Sequence, residues 1–272
     1  MENNFIKEFW DKQGEKFGKS HEASWADLYC VYLEIENISK YIKENDKVLD
    51  VGCSNGFSAM KQLKKNKIVL EGIDFSEKMI TQARKNLIDF TNNENFNESE
   101  ANFGIGDIKH INFPDETFDV TYTTRVLINL QNWEDQIQGI NECLRVTKKG
   151  GFVLLSEAFY EPLQKLNALR ILASLDALVE HDFNRYIKKQ KIEKFLSSNN
   201  INFECIDFSS IYYLGSRFLR EVCQYNESNE VMSIYQPDYV KNSINRWFYE
   251  LEEKYNGKKL GVGIQQLYVI KK

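Results

Sequence analysis

The sequence predicts an α/β fold: a mostly parallel sheet covered by helices on both faces, with further helices over the cleft at the carboxyl ends of the strands. Three observations carry this expectation. Between residues 47 and 157, short apolar runs alternate with longer stretches of helical periodicity. The first run, Val48 to Val51, leads into a turn bearing two glycines, Gly52-Cys53-Ser54-Asn55-Gly56. After Glu157 the rhythm breaks into long helical stretches before the last apolar runs.

Taken in order, residues 1–46 read as helical. Phe5, Ile6, Phe9 and Trp10 recur at helical spacing, and so do the apolar residues at 28, 31, 32, 35, 38 and 42. Strands are expected at 47–51, 68–73, 101–105, 118–123 and 151–157, with helices near 55–65, 76–91 and 133–147 between them. The last of these helices ends at Lys148-Lys149-Gly150-Gly151, a basic final turn followed by glycine. Beyond Glu157, helices are expected at 161–179, 190–199, 216–225 and 238–255, and strands at 202–209 and 264–270. The organisation read from this is an N-terminal helical lid (1–46), a cofactor-binding core (47–160), and a C-terminal part (161–272) that completes the sheet and inserts a helical cover.

Composition narrows the partners. A net charge of -5 without a basic block argues against nucleic acid. No apolar run approaches the roughly 18 residues of a membrane span, and Met1-Glu2-Asn3-Asn4-Phe5 lacks a signal-peptide profile. Five cysteines without Cys-x-x-Cys spacing suggest reduced thiols in a cytoplasm, not disulfides or zinc. The expected partner is a small molecule, and the expected assembly a monomer or homodimer.

The glycine turn is the strongest chemical signal. Gly52 and Gly56 let main chain approach a ligand closely, and Asp50, at the strand end, is placed to accept from an amino group. Dinucleotide enzymes use a similar turn, but the Gly-x-Gly-x-x-Gly spacing is absent, and an acid at Asp50 opposes a pyrophosphate. On these residues the chain resembles the class I S-adenosylmethionine-dependent methyltransferases, with Ser54 at the middle glycine of their first motif. That resemblance implies a Rossmann-like, seven-stranded sheet whose last strand enters antiparallel between the fifth and sixth. It implies S-adenosylmethionine as cofactor, S-adenosylhomocysteine as product, and no metal.

The resemblance extends through residues 48–157 and assigns roles residue by residue. Gly52, Cys53, Asn55 and Gly56 belong to the cofactor turn. Asp74, ending the second strand, would accept both ribose hydroxyls, or else cap the next helix together with Ser76. Phe75 and Met79 would line the adenine. Asp107 would accept from the adenine amino group with Ile108 on the ring, or Asp107 simply forms a turn. Thr124, at the end of the fourth strand, would border the reactive sulfonium. Trp25 is a candidate lid residue over the cofactor, or a packing residue.

The acceptor side is read from charge. Arg125 beside a sulfonium needs an intervening anion, which suggests a phosphate or carboxylate on the acceptor; an ion pair with an acid such as Glu157 is the alternative. On the helix expected at 161–179, Asn167 and Arg170 fall on one polar stripe, which faces either the cleft or water. His181 is a candidate base or a solvated loop residue, and Tyr213 and Arg217 could complete an anion-tolerant pocket. Arg125 and His181 are thus the catalytic candidates, and Arg125, Asn167, Arg170, His181, Tyr213 and Arg217 the acceptor candidates. The run Arg125 to Leu130, with Ser156-Glu157 and Asn167-x-x-Arg170, looks like methyltransferases of bacterial surface-carbohydrate and capsule assembly. It implies O-methylation of an activated sugar or another phosphorylated precursor. N-methylation of a small metabolite, a non-catalytic sensor or partner subunit, and a nicotinamide oxidoreductase are the competing readings.

Overall fold

A single sheet with the order β3-β2-β1-β4-β5-β7-β6 organises the chain. The computed structural model describes residues 2–93, 99–223, 243–255 and 260–272. Its strands are β1 (Lys47–Val51), β2 (Val69–Asp74), β3 (Glu100–Ile105), β4 (Phe118–Thr124), β5 (Thr147–Ala158), β6 (Asn202–Ile206) and β7 (Gln265–Lys271). β1 to β5 run parallel, and β7 lies antiparallel to both β5 and β6. The arrangement is the mixed seven-stranded sheet expected from the sequence, with its antiparallel strand in the expected place.

The apolar runs become central strands because both of their faces are covered. Four of the five residues of β1 and six of the seven of β7 are buried, whereas β3 and β6, at the two edges, alternate towards solvent. Helices α1 (Glu2–Phe17), α2 (Leu28–Ser39), α3 (Phe57–Lys65), α4 (Glu77–Asn93), α5 (Trp133–Val146), α6 (Tyr160–Leu172) and α7 (Lys189–Ser198) surround the sheet. A short helix α8 (Ser210–Leu214) continues into one π turn (Gly215–Leu219), and α9 (Ser243–Tyr255) precedes β7. Residues 224–225 and 238–242, also expected as helix, lie outside the described residues. No helix among the described residues is long and apolar enough to cross a membrane, and no group of three His, Cys, Asp or Glu there could hold a metal ion.

The helix expected over 161–179 stops at Leu172. Ser174 adopts a left-handed backbone, φ 60°, and the chain folds back over α6. Asn167 holds the returning segment in both directions: its Nδ2 donates to the Leu178 carbonyl and its Oδ1 accepts from the Leu178 amide, each at 2.8 Å. Arg170 Nε donates to the Asp176 carbonyl at 2.8 Å. Apolar periodicity carried the expectation too far, because these polar side chains end the helix by bonding to backbone six and eleven residues further along the chain.

Two buried carboxylates stand near the carboxyl ends of the central strands. Glu157, on β5, accepts from Thr123 Oγ1 at 2.7 Å and from the amides of Val126, Leu127 and Ile128 at 3.0, 3.1 and 3.3 Å. It shapes the turn after β4, a short 3-10 helix at Leu127–Asn129. Burial pushes its carboxyl up to about 7. Asp50, on β1, is buried beside the Tyr122 hydroxyl of β4, and burial likewise pushes it up to about 7. A carboxyl with a folded value above its unfolded value holds its proton more tightly in the folded chain. Stability therefore falls as pH rises from about 4 to about 7, by a few kcal/mol per group at most. Asp50→Asn is accordingly expected to raise the thermal midpoint of the ligand-free protein at pH 8 and to leave it nearly unchanged at pH 4.5. Calorimetric melts at the two pH values check this; equal shifts at both would show that Asp50 carries no buried charge.

Candidate functional site

The turn after β1 is built from left-handed residues: Gly52 at φ 77°, Ser54 at 51° and Gly56 at 79°. A Cβ at Gly52 would stand 2.2 Å from Val126 Cγ2, so glycine is required there by space as well as by backbone. The turn is pinned from behind, because Gly52 and Cys53 both donate their amides to the Ile73 carbonyl at 2.7 and 3.0 Å. Ser54 donates its amide to Asp74 Oδ2 at 3.0 Å, and Asp74 Oδ1 accepts from the Ser76 amide at 2.9 Å. The capping alternative for Asp74 is thus realised, while the residue also faces a cavity. Burial pushes its carboxyl up to about 6.

That cavity, about 1120 Å³, runs along the carboxyl ends of β1, β2 and β4 and beneath the N-terminal helix. Gly52, Asp74, Phe75, Met79, Asp107, Ile108 and Thr124 all line its first half. Asp107 is exposed, and its Oδ1 accepts from the Lys109 amide at 2.8 Å. Asp50 does not join this group. It points into the core beneath the turn, in register with Tyr122 of β4, and does not line the cavity. The expected convergence of Asp50, Asp74 and Asp107 therefore reduces to the latter two; a strand-end acid one residue before Val51 falls on the covered face. Cys53, Asn55 and Gly56 are also absent from the lining. Asn55 Nδ2 instead donates to the carbonyls of Gly18 and Ser20, at 2.7 and 2.8 Å, fastening the segment between α1 and α2.

The other half of the cavity is roofed by α1 and the returning segment after α6. Ile6, Phe9 and Trp10 line it from the helix, and Leu178, Val179 and Phe183 from the segment. The two elements meet through aromatic rings: Phe183 lies 5.0 Å from Phe9 and 6.3 Å from Trp10, and the His181 ring 4.4 Å from Phe183. α1 is fixed to α4 by Asp11, which accepts from the Ser76 hydroxyl, and by a 2.9 Å ion pair between Lys78 and Glu15. The sequence showed the helical spacing of Phe5, Ile6, Phe9 and Trp10 but not what their face covers. Phe183, a lone apolar ring in the polar run Glu180 to Arg185, was the one available hint of a partner.

Arg125 and Arg217 both reach the cavity, and both are already paired. Arg125, left-handed at φ 58°, binds Glu34 of α2 and not Glu157, and its guanidinium stacks 4.8 Å from the Trp25 ring. Glu34 also accepts from Ser156 Oγ at 3.1 Å and from Gln265 Nε2 at 2.8 Å. Arg217 binds Asp27, which also accepts from the Tyr212 hydroxyl at 2.7 Å and caps α2 through the Cys30 amide. Its guanidinium lies 4.9 Å over Tyr213, another lining residue. Asn167 and Arg170 are not in the lining; besides the backbone bonds above, Arg170 pairs with Glu221 at 2.7 Å. Buried guanidinium groups require partners. Each found a carboxylate from a helix distant in sequence, which a single stretch of sequence could not reveal. His181 and Trp25 do line the cavity, the former exposed and packed into the roof, the latter as the partner of Arg125.

Comparison with known proteins places this geometry. Residues 48–151 match a family described as methyltransferase domain. An uncharacterized methyltransferase of Schizosaccharomyces pombe is 33% identical over 122 residues, covering 44% of this chain and 42% of its own length. The chain thus spans less than half the length of that relative. A ubiquinone biosynthesis O-methyltransferase of Aliivibrio fischeri is 28% identical over 191 residues, 69% of this chain and 75% of that protein. Among solved structures, magnesium protoporphyrin IX methyltransferase from Synechocystis, with S-adenosylhomocysteine bound, shares the fold with a TM-score of 0.56 at 15% identity, over 75% of this chain and 91% of the other. With its seven-stranded sheet, its glycine turn and the strand-end acids Asp74 and Asp107 on one cavity, the chain carries over residues 48–151 a stretch that matches a methyltransferase domain, within a fold shared with a methyltransferase solved with S-adenosylhomocysteine.

Proposed function

We propose that the protein transfers a methyl group from S-adenosylmethionine to a hydroxyl of a small, neutral acceptor. The observation that carries this reading is one cavity with two unlike halves: a glycine turn with two strand-end acids on one side, and an apolar, aromatic-roofed space on the other. A volume of about 1120 Å³ exceeds the ~1,000 Å³ upper range of single-ligand pockets. It leaves room for a nucleoside and a second molecule together.

The residues present suit S-adenosylmethionine. The Gly52 to Ser54 main chain would take its methionyl end, Asp74 the ribose hydroxyls, and Asp107, Ile108, Phe75 and Met79 the adenine. When bound, the cofactor supplies a methyl group already activated by its sulfonium. The chain's contribution is then to position the acceptor and exclude water. Trp25, held by Arg125, and the ring cluster of Phe9, Trp10 and Phe183 serve that exclusion. S-adenosylhomocysteine is the expected product.

The charge argument for an activated-sugar acceptor loses its basis in the pairing of Arg125 with Glu34, Arg170 with Glu221 and Arg217 with Asp27. An anion would have to displace a buried carboxylate, at a cost of several kcal/mol. A neutral acceptor needs no such exchange. The name of the Aliivibrio relative supports oxygen as the methylated atom. We assign Arg125 as a positioning residue that holds Trp25, and His181 to the roof. A small-molecule enzyme working as a monomer or homodimer fits this reading.

Three outcomes are expected. Asp74→Ala should weaken S-adenosylmethionine binding by at least tenfold in calorimetry, since a charged acceptor of two hydroxyls is worth about 1.5–3 kcal/mol; undiminished affinity would remove Asp74 from the cofactor site. Arg125→Ala should cost about 3–5 kcal/mol of stability in urea melts, because it strands the buried Glu34. An anion-gripping arginine would instead leave stability intact and raise the acceptor KM. His181→Phe, which keeps a ring against Phe183, should leave kcat within about threefold, whereas a base would cost 10²- to 10⁴-fold.

A further inference from the structure

Three buried acids gather at the carboxyl ends of the central strands, and each is held by uncharged donors. Asp74 lines the cavity and accepts from the amides of Ser54 and Ser76. Asp50 and Glu157 stand one layer behind the lining. Asp50 precedes the lining residues Val51 and Gly52 and lies beside the Tyr122 hydroxyl. Glu157 precedes Ala158 and collects the Thr123 hydroxyl and the amides of Val126, Leu127 and Ile128. Of these, Val126, Ile128 and Ala158 line the cavity. The acids Glu34, Asp27 and Glu221 differ, because an arginine neutralises each of them.

The ionisable groups that face the three acids do not cancel their charge. Asp50 faces Asp74 and the Cys53 thiol. Asp74 faces Asp11 of α1, whose neighbour Lys78 is paired with Glu15. Glu157 faces the Cys143 thiol and Arg125, and that guanidinium is committed to Glu34. Burial accordingly pushes Asp50 and Glu157 up to about 7 and Asp74 up to about 6. A cation entering the cavity offsets the lost hydration and favours the ionised carboxylates, through an interior that screens charge weakly.

S-adenosylmethionine and S-adenosylhomocysteine differ by one methyl group and one positive charge, so contacts to ribose, adenine and the methionyl end are common to both. We propose that Asp50, Asp74 and Glu157 make the site read the charge of its ligand: they favour the sulfonium over the thioether and shed protons to solution as the sulfonium enters. Asp50 and Glu157 touch no ligand and determine specificity through their field. Resting on the methyl-transfer reading, this adds a way to sort reactant from product. In the transfer the sulfur keeps the electron pair of the broken S–C bond and becomes neutral. The acceptor oxygen forms the new O–CH₃ bond and its proton goes to solution. Protons then return to the acids, and the hold on the product weakens. Because the favoured charge fades in the transition state, the acids serve selection and release, not the rate of transfer.

The test is calorimetric titration of the full chain with S-adenosylmethionine and, separately, S-adenosylhomocysteine across a pH series. The affinity for the first relative to the second should rise at least about tenfold between about pH 5.5 and about pH 8 and then level off, since each unit by which the sulfonium lowers an acid's value is worth a factor of ten. A ratio that moves less than about twofold overturns the proposal, because the linkage would then be absent. Near the middle of that range, titrations in two buffers of different ionisation enthalpy should show more protons released by the sulfonium ligand; equal release likewise overturns it. Asp50→Asn should cut the rise at least about threefold, as one titrating carboxyl is removed; an undiminished rise overturns the part given to Asp50. His181→Phe should keep the full rise, and losing it there would assign the effect to the imidazole and overturn the proposal. Absence of heat from both ligands at every pH would count instead against methyl transfer itself.

Discussion

The site depends on the carboxylate of Glu157. By collecting the Thr123 hydroxyl and three consecutive amides, it fixes the chain where β4 ends and so sets the position of everything from Arg125 to Asn129. Val126 is thereby pressed against the turn after β1, which can only be glycine at position 52. Arg125 is turned into a left-handed conformation that directs it to Glu34 and beneath Trp25. One buried acid thus couples the floor of the nucleoside half to the wall of the acceptor half. Four donors stabilise its charged form and burial opposes it, which leaves the carboxyl near neutrality.

The arginines show how a cavity can contain cations and still be neutral. Each guanidinium that reaches the space brings a carboxylate from α2 or the residue before it, and each lays its flat face on a ring. The charge is spent on architecture, holding α2 to the end of β4 and to the π turn after α8. What lines the cavity there is the paired arginines together with the rings of Trp25 and Tyr213. α2 acts as the keystone because Asp27 and Glu34 lie seven residues apart, two turns along the same side of the helix.

Much of the fold was legible because the central strands are buried on both faces and therefore appear as continuous apolar runs; β1 and β4 fell within a residue of their expected limits. The nucleoside half was legible for a different reason: it is made of local motifs, each a strand end plus its turn. Asp74 and Asp107 reach the cavity, whereas Asp50, just before Val51, is directed into the core. The acceptor half was not legible because its determinants are pairings between distant segments. Nothing in the sequence around Arg125 signals Glu34, ninety-one positions earlier. Nor does the spacing of Asn167 and Arg170 reveal that both are consumed in ending their own helix.

The carboxamide of Asn55 carries one more consequence. Its two N–H groups are both given to carbonyls of the 18–20 segment, while its backbone carbonyl accepts from Asn86 of α4 at 2.8 Å. The first twenty residues are therefore part of the scaffold that holds the nucleoside turn. Trimming them would strand two amide donors in the interior and loosen Ser54 against Asp74, so a shortened version of this protein would lose its grip on the nucleoside along with its roof.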